Sequence, residues 1–162
     1  MPITLPVDTL APPCRFCEVI AGRFEKGVVE ETPLTVTMVS GAQFEFGQVF
    51  VAPRQHRPTL LDLTPDELGA VLVTSQRIAK ALIKAYDPDG ILVFQNNGVA
   101  SGQSVPHYHM QLVPRYTNST RWVGGPQDLA AVTGGTSKRV DFNPQVSTER
   151  EREIAAHIRR FL

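Results

Sequence analysis

From Thr64 to Tyr86 the sequence permits little besides one long amphipathic helix. Thr64 stands at the N-cap, Pro65 at the first helical position and Glu67 at the third, which together make a capping box. Leu68, Val71, Leu72, Ser75, Ile78, Ala79, Leu82, Ile83 and Tyr86 then recur at the helical period, so one face is apolar. Asp87–Gly90, "DPDG", stops the helix by turn chemistry. The segments around it are short and β-like. Val28–Glu31 and Leu34–Val39 alternate and are rich in β-branched residues, with Pro33 between them. Gln48–Ala52, Ile91–Gln95 and residues 107–113 are further strand candidates. Cys14–Ala21 reads as a short helical turn ended by Gly22. A final helix is expected over Glu149–Phe161, with Thr148 and Glu151 as a second capping box and Ile154, Ile158 and Phe161 as its buried stripe. Strands outnumber helices and are mostly joined by turns, which predicts an α+β fold with an antiparallel sheet.

Composition narrows the class of partner. The chain has 162 residues, enough for one domain with a full core, and it is 42% hydrophobic and 20% charged. Sixteen Lys and Arg balance sixteen Asp and Glu. A chain that grips long nucleic acid by counterion release carries a basic excess, so no such partner is expected. No apolar run reaches the roughly 20 residues of a membrane span. The stretch "MPITLPVDTLAPP" has neither a basic start nor a sustained apolar centre, and residues 1–13 read as a flexible, proline-stiffened arm of a cytoplasmic protein.

Within "QSVPHYHMQLVPR", His107, His109 and Gln111 occupy alternate positions, opposite Tyr108, Met110 and Leu112. On a strand such a row lies on one face, with neighbours about 6.5–7 Å apart. It can present two imidazoles and an amide to one substrate. Imidazole is a nucleophile at neutral pH, whereas the glutamine amide donates to an oxygen without titrating. The same pattern also suits a solvated polar strand face. The preceding loop, "NNGVASGQSV", adds Gly98, Gly102 and Ser104, whose backbone and hydroxyl suit an anion, although the loop is not a Walker motif.

Cys14 and Cys17 form a single C-x-x-C, a spacing that suits a metal or redox pair, or simply two free thiols. Structural zinc needs four ligands, and with no other cysteine the rest would be mainly histidines, His56 and His107 being candidates. His157 reads as a solvated residue on the outer side of the last helix, and Trp122 as a packing residue.

Taken together, "CRFCEVIAGR", "GQVFVAPRQH", "DLTPDEL" and "NNGVASGQSVPHYHMQLVPR" resemble the histidine triad (HIT) family from about Cys14 to Arg115. The third triad member is Gln111 here, which resembles the uridylyltransferase and dinucleoside polyphosphate phosphorylase branches. The resemblance implies a HIT-like sheet of about five strands with one main helix and a C-terminal helix. It places a HIT domain over 14–116, followed by an extension over 117–162 whose loop and terminal helix pack on it. It further implies His109 as nucleophile towards the α-phosphorus of a nucleotide or dinucleotide, with a nucleotidyl-histidine intermediate. His107 would orient His109 or ligate zinc, and Gln111 would donate to a non-bridging oxygen. Ser104 and the backbone of Gly102 and Gln103 would hold phosphate oxygens, Asn96 would contact the phosphate or orient the loop, and Phe16 would line the base pocket. Cys14, Cys17, His56 and His107 would bind a structural zinc. Two-fold dimers are common in the family, so a homodimer is implied.

One position departs from the pattern. The acidic residue that relatives use for the ribose hydroxyls falls at Ser40. The expected activity is thus a nucleotide hydrolase, transferase or phosphorylase, the alternative being a nucleotide-binding regulatory scaffold with little turnover. Gln111 removes a titratable group that could protonate a leaving group, which leans slightly towards a phosphate acceptor.

Overall fold

The computed structural model describes residues 3–7, 13–117 and 145–162. The expected loop over 117–146, apart from its ends, and Trp122 lie outside them. Five antiparallel strands form one sheet: β1 (Val28–Glu31), β2 (Thr35–Val39), β3 (Val49–Pro53), β4 (Gly90–Phe94) and β5 (Met110–Arg115). Their spatial order is β1-β2-β3-β5-β4. Among the described residues are three α-helices, α1 (Arg15–Ile20), α2 (Pro65–Tyr86) and α3 (Thr148–Arg159), and two short 3-10 turns, Leu60–Asp62 and Val99–Ser101. The fold is thus α+β with an antiparallel sheet, as the sequence predicts.

Helix α2 begins as expected. The Thr64 hydroxyl accepts from Glu67 N–H, and the Glu67 carboxylate accepts from Thr64 N–H. It ends at Asp87, a left-handed residue with φ 46°, whose N–H donates to Ile83 O. The inward stripe of α2 (Val71, Ile78, Ala81, Leu82) packs with Val49, Val51 and Leu112 of the sheet and with Ile154, Ala155 and Ile158 of α3. Each of these Val, Leu and Ile side chains contributes roughly 1.5–3 kcal/mol on burial. On the opposite face, Phe16 and Val19 of α1 pack with Val36, Met38 and Ala52. Strand β2 is therefore buried at all five positions, because helices cover both of its faces.

Three local expectations shift. The strand expected over 107–113 begins only at Met110 and runs through Pro114 to Arg115. Pro114 is tolerated because pairing with β3 ends at Leu112, so no ladder bond to β3 needs its missing N–H. Helix α3 is capped by Ser147, whose hydroxyl accepts from Arg150 N–H, not by Thr148. The Glu151 carboxylate, expected to close that box, instead accepts from Lys26 Nζ at 2.8 Å and from Gly27 N–H at 3.1 Å, tying α3 to the start of β1. His157 is half-buried, not solvated: its Nε2 donates to Ala85 O at 3.1 Å, and its ring packs against Tyr86 and Phe161.

Candidate functional site

The site occupies the sheet face opposite α2, around the chain entering β5. Met110 and Gln111 pair with Val51 and Phe50 of β3, but His107–His109 lies outside the ladder. There Tyr108 N–H donates to Arg57 O at 2.6 Å, and His107 N–H closes a tight turn on Val105 O. Arg57 is itself gripped by Glu67 of α2, with Nε 2.9 and 3.0 Å from the two carboxylate oxygens. The first turn of the long helix thus anchors the histidine segment.

His109 is 6% exposed, and its ring meets Phe16 and Phe50 edge-on, at 5.1 and 5.0 Å between centroids. Its Nδ1 lies 2.8 Å from His107 O. A carbonyl only accepts, so Nδ1 carries the proton and Nε2 keeps its lone pair. Burial pushes the imidazole below its ordinary pKa, partly offset by that hydrogen bond, so burial favours the uncharged ring. The result is an oriented imidazole whose Nε2 is the accepting nitrogen.

His107 is fully buried and turned the other way. Its Nε2 lies 2.8 Å from Pro53 O and must donate, leaving the Nδ1 lone pair facing the thiols of Cys14 and Cys17 at 3.5 and 3.6 Å. Burial drives its pKa down to about 4, against the Pro53 hydrogen bond. Cys14 caps α1 and Cys17 lies one turn in, a three-residue spacing that puts both sulfurs on one side. His56, just past β3, brings Nδ1 to 3.3 Å from Cys17 Sγ. One ligand atom from each of Cys14, Cys17, His56 and His107 lies within 4.8 Å of all the others, so the group can hold a metal ion. The donor set fits: two sulfurs, two imidazole nitrogens, and a backbone carbonyl fixing the tautomer of one imidazole. Burial, followed by Cys14, raises the Cys17 thiol to about 11, so binding a cation there displaces a proton.

Beyond His109, Gln111 sits in a line of side-chain amides. Phe44 N–H donates to Gln48 Oε1 at 2.7 Å, and Gln48 Nε2 donates to Gln111 Oε1 at 2.9 Å. Gln111 Nε2 donates to Asn96 Oδ1 at 3.4 Å, and Asn96 Nδ2 donates to Ser101 O. Asn96 therefore orients the glycine loop, one of the two roles open to it from sequence. Gln48 had no role in the sequence reading; the available signal was its place two residues before Phe50, on the same strand face.

The loop itself is more self-contained than expected. Gly102 N–H and Gln103 N–H donate to Val99 O and Gly98 O, at 2.9 and 3.3 Å, so they hold their own turn rather than standing free. The Gln103 side chain is buried, accepting from Gly98 N–H and donating to Pro58 O and Val105 O. Ser104, by contrast, is exposed, three residues before His107 in the chain. Gly98 and Gly102 both adopt positive φ, 81° and 83°, which the tight loop requires. Residues 3–7 run along this loop, with Val99 N–H donating to Pro6 O. Phe16 is buried and packs against the His109 ring. Ser40 is 1% exposed and its hydroxyl donates to Ala42 O at 2.5 Å, so it closes a turn instead of offering itself to a ribose.

The comparisons agree with this geometry. The sequence model of the HIT domain matches residues 22–118, well over half of the chain. "Protein hit" of Bacillus subtilis is 28% identical over 136 residues, covering 78% of this chain and 94% of that protein. "Adenylylsulfatase HINT3" of Arabidopsis thaliana is 28% identical over 115 residues, covering 71% of this chain and 58% of that protein. The crystal structure of a HIT-like protein from Bartonella henselae superposes with a TM-score of 0.75 at 28% identity, covering 91% of this chain and 94% of that one. Two oppositely oriented histidines, a glycine loop and a five-stranded sheet in this arrangement, with a domain match of that extent, establish that the chain belongs to the HIT family.

Proposed function

We propose that this protein is a nucleotide hydrolase or nucleotidyltransferase, phosphorylase chemistry included, acting at the α-phosphate through a nucleotidyl-histidine intermediate on His109. The substrate is a dinucleoside polyphosphate, nucleotide sugar, nucleoside phosphoramidate or related mixed anhydride. The observation that carries the reading is the orientation of His109: its Nδ1 proton is held by His107 O, burial favours the uncharged ring, and Nε2 has no hydrogen-bond partner among the described residues. Nε2 attacks the α-phosphorus, the N–P bond forms, and the bond to the leaving group breaks with its electron pair going to that group. Positive charge developing on the ring is held against the His107 carbonyl. Water, phosphate or a sugar phosphate then attacks the phosphorus, the P–N electron pair returns to Nε2, and the acceptor loses its proton. Gln111 donates from Nε2 to a non-bridging oxygen, and the exposed Ser104 hydroxyl takes another. The relative named as an adenylylsulfatase supports a leaving group that departs as a stable anion.

Cys14, Cys17, His56 and His107 would hold a structural zinc ion. Zn–S and Zn–N bonds of about 2.3 and 2.0–2.1 Å in a tetrahedron put S and N roughly 3.5 Å apart, close to the 3.3–3.6 Å here. These residues would let a bound ion cross-link α1, the end of β3 and the histidine segment. A homodimer fits two features: β4 is an edge strand with Val93 exposed, and α2 exposes Leu68, Leu72 and Val73.

The test is direct. The wild type, incubated with an α-labelled dinucleoside polyphosphate and quenched in alkali, should retain a nucleotidyl adduct, and His109→Asn should retain none. An adduct of equal yield in that variant refutes the assignment. Ser40 favours one competing reading, a nucleotide-binding scaffold, because its hydroxyl is spent internally. Saturable nucleotide binding with no mono- or diphosphate product after prolonged incubation would select it.

A further inference from the structure

We infer that Gln48 is a positioning residue that fixes which way round the Gln111 amide stands, keeping its N–H donor aimed at the phosphate position. The inference rests on the proposed role of Gln111 as a donor to phosphate. An amide is nearly symmetric in shape, so packing alone leaves its oxygen and nitrogen interchangeable. Here both ends of the line of amides are backbone groups with a single possible role. Phe44 N–H can only donate, so Gln48 must present Oε1 to it and Nε2 to Gln111. Ser101 O can only accept, so Asn96 must present Nδ2 to it and Oδ1 to Gln111. Gln111 between them has its oxygen drawn to one side and its nitrogen to the other. Its Nε2 carries two hydrogens, and the 3.4 Å bond to Asn96 uses one, weakly. The second remains for a substrate oxygen.

Gln48 is 1% exposed. No member of this line (Phe44, Gln48, Gln111, Asn96, Ser101) contributes a titrating side chain, so its donor direction is the same at every pH near neutrality. The direction is therefore a property that one isosteric change can reverse. Gln48→Glu keeps the shape but leaves only acceptors. Its carboxylate still accepts from Phe44 N–H, and Gln111, to donate to it, must turn Nε2 towards it and set Oε1 against both Asn96 Oδ1 and the phosphate. Protonation of the introduced carboxylate restores an O–H donor and with it the original direction.

The experiment uses the full chain, with and without AMP. In 15N-labelled protein, the side-chain amide resonances of Gln111 should titrate with the introduced carboxyl group in Gln48→Glu, and show no such step in the wild type. AMP affinity of Gln48→Glu should fall by at least about tenfold at pH 8, as expected when one charge-assisted hydrogen bond is lost and an oxygen faces the anion. It should return to near the wild-type value as pH falls through the titration of that carboxyl. Gln48→Met, which cannot donate at any pH, should lose affinity with no acid recovery. Gln111 resonances that ignore the carboxyl titration overturn the inference, as does Gln48→Glu with wild-type affinity at pH 8 or with a loss that stays the same at every pH. The His109 adduct assay reports separately. Absence of the adduct in the wild type refutes the enzymatic reading, while the amide resonances still decide the role of Gln48.

Discussion

Replacing Glu67 tests whether the helix start truly supports the site. Glu67 is a buried carboxylate that closes the capping box on Thr64 N–H and takes both its oxygens to Arg57 Nε. Burial pushes this carboxyl up, but Arg57 and Thr64 outweigh it and hold the carboxyl below its ordinary value. Breaking a buried pair costs about 3–5 kcal/mol. The Arg57 side chain is 31% exposed against 5% for Glu67, so water reclaims part of that charge and about 2 kcal/mol is the better figure for Glu67→Gln. The amide can still accept from Thr64 N–H; Glu67→Ala also forfeits that bond, adding about 1 kcal/mol. For a chain of this size, about 2 kcal/mol lowers the melting temperature by roughly 4–8 °C. Because the folded-state pKa lies below the unfolded one, the stabilisation is fully present above the unfolded carboxyl range and fades as pH falls through the folded value. Urea titrations of wild type and Glu67→Gln at pH 7 and at successively lower pH measure it. A gap below about 0.5 kcal/mol at pH 7, the ordinary scatter of a surface change, would refute the reasoning. So would a gap that fails to narrow in acid.

Two further outcomes follow from the packing and from the cysteine–histidine group. Gly27→Ala would place a methyl group 2.3 Å from Glu151 O and 2.4 Å from its carbonyl carbon, both backbone atoms. It should therefore destabilise by about 2–3 kcal/mol in denaturant titrations, whereas Gly69→Ala, with open space around it, should not. Metal analysis should find one zinc per chain, lost in Cys17→Ser. Stripping it with a chelator should remove about 4 kcal/mol if free zinc had stood a thousandfold above its Kd, a fall of roughly 8–16 °C by calorimetry. An unchanged melting temperature would remove the zinc assignment.

What the sequence discloses divides along the range of the interactions concerned. The bounds of helix α2 are legible because Thr64, Pro65 and Glu67 cap within one turn and the apolar period needs no partner to be read, although Leu68, Leu72 and Ile83 of the expected apolar face stand exposed. The start of α3 is not: Ser147 and Thr148 are both good caps, and the choice depends on Glu151 being drawn away to Lys26 and Gly27, more than 120 residues earlier. His107, His109 and Gln111 are legible as a functional row, yet alternation alone could not show that the two histidines precede the strand. That boundary is set by Arg57 O taking Tyr108 N–H. Cys14, Cys17, His56 and His107 do converge, as the family resemblance implied. Gln48 and the internal bonding of Gln103 stayed hidden because a buried glutamine has no periodic or compositional signature; only its partners reveal its role.

If the proposed roles hold, the two histidines show how a structural metal and a covalent nucleophile can sit two residues apart. His107 donates from Nε2 to Pro53 O and turns Nδ1 to the thiols, so its ring is engaged on both sides. Its remaining polar group towards the site is its own carbonyl, and that carbonyl is what holds the proton on His109 Nδ1. A cation shared by Cys14, Cys17, His56 and His107 would therefore stiffen the very peptide group that selects the nucleophile's tautomer, without lying in the path of the substrate. On the far side, Gln111 is held by amides whose direction is set by Phe44 and Ser101. On the proposed roles, nucleophile and phosphate donor are thus oriented by separate supports. One would be ionic and depend on a metal; the other is a line of neutral amides. Losing the first would disorder His109 while leaving Gln111 aimed, and losing the second would do the reverse.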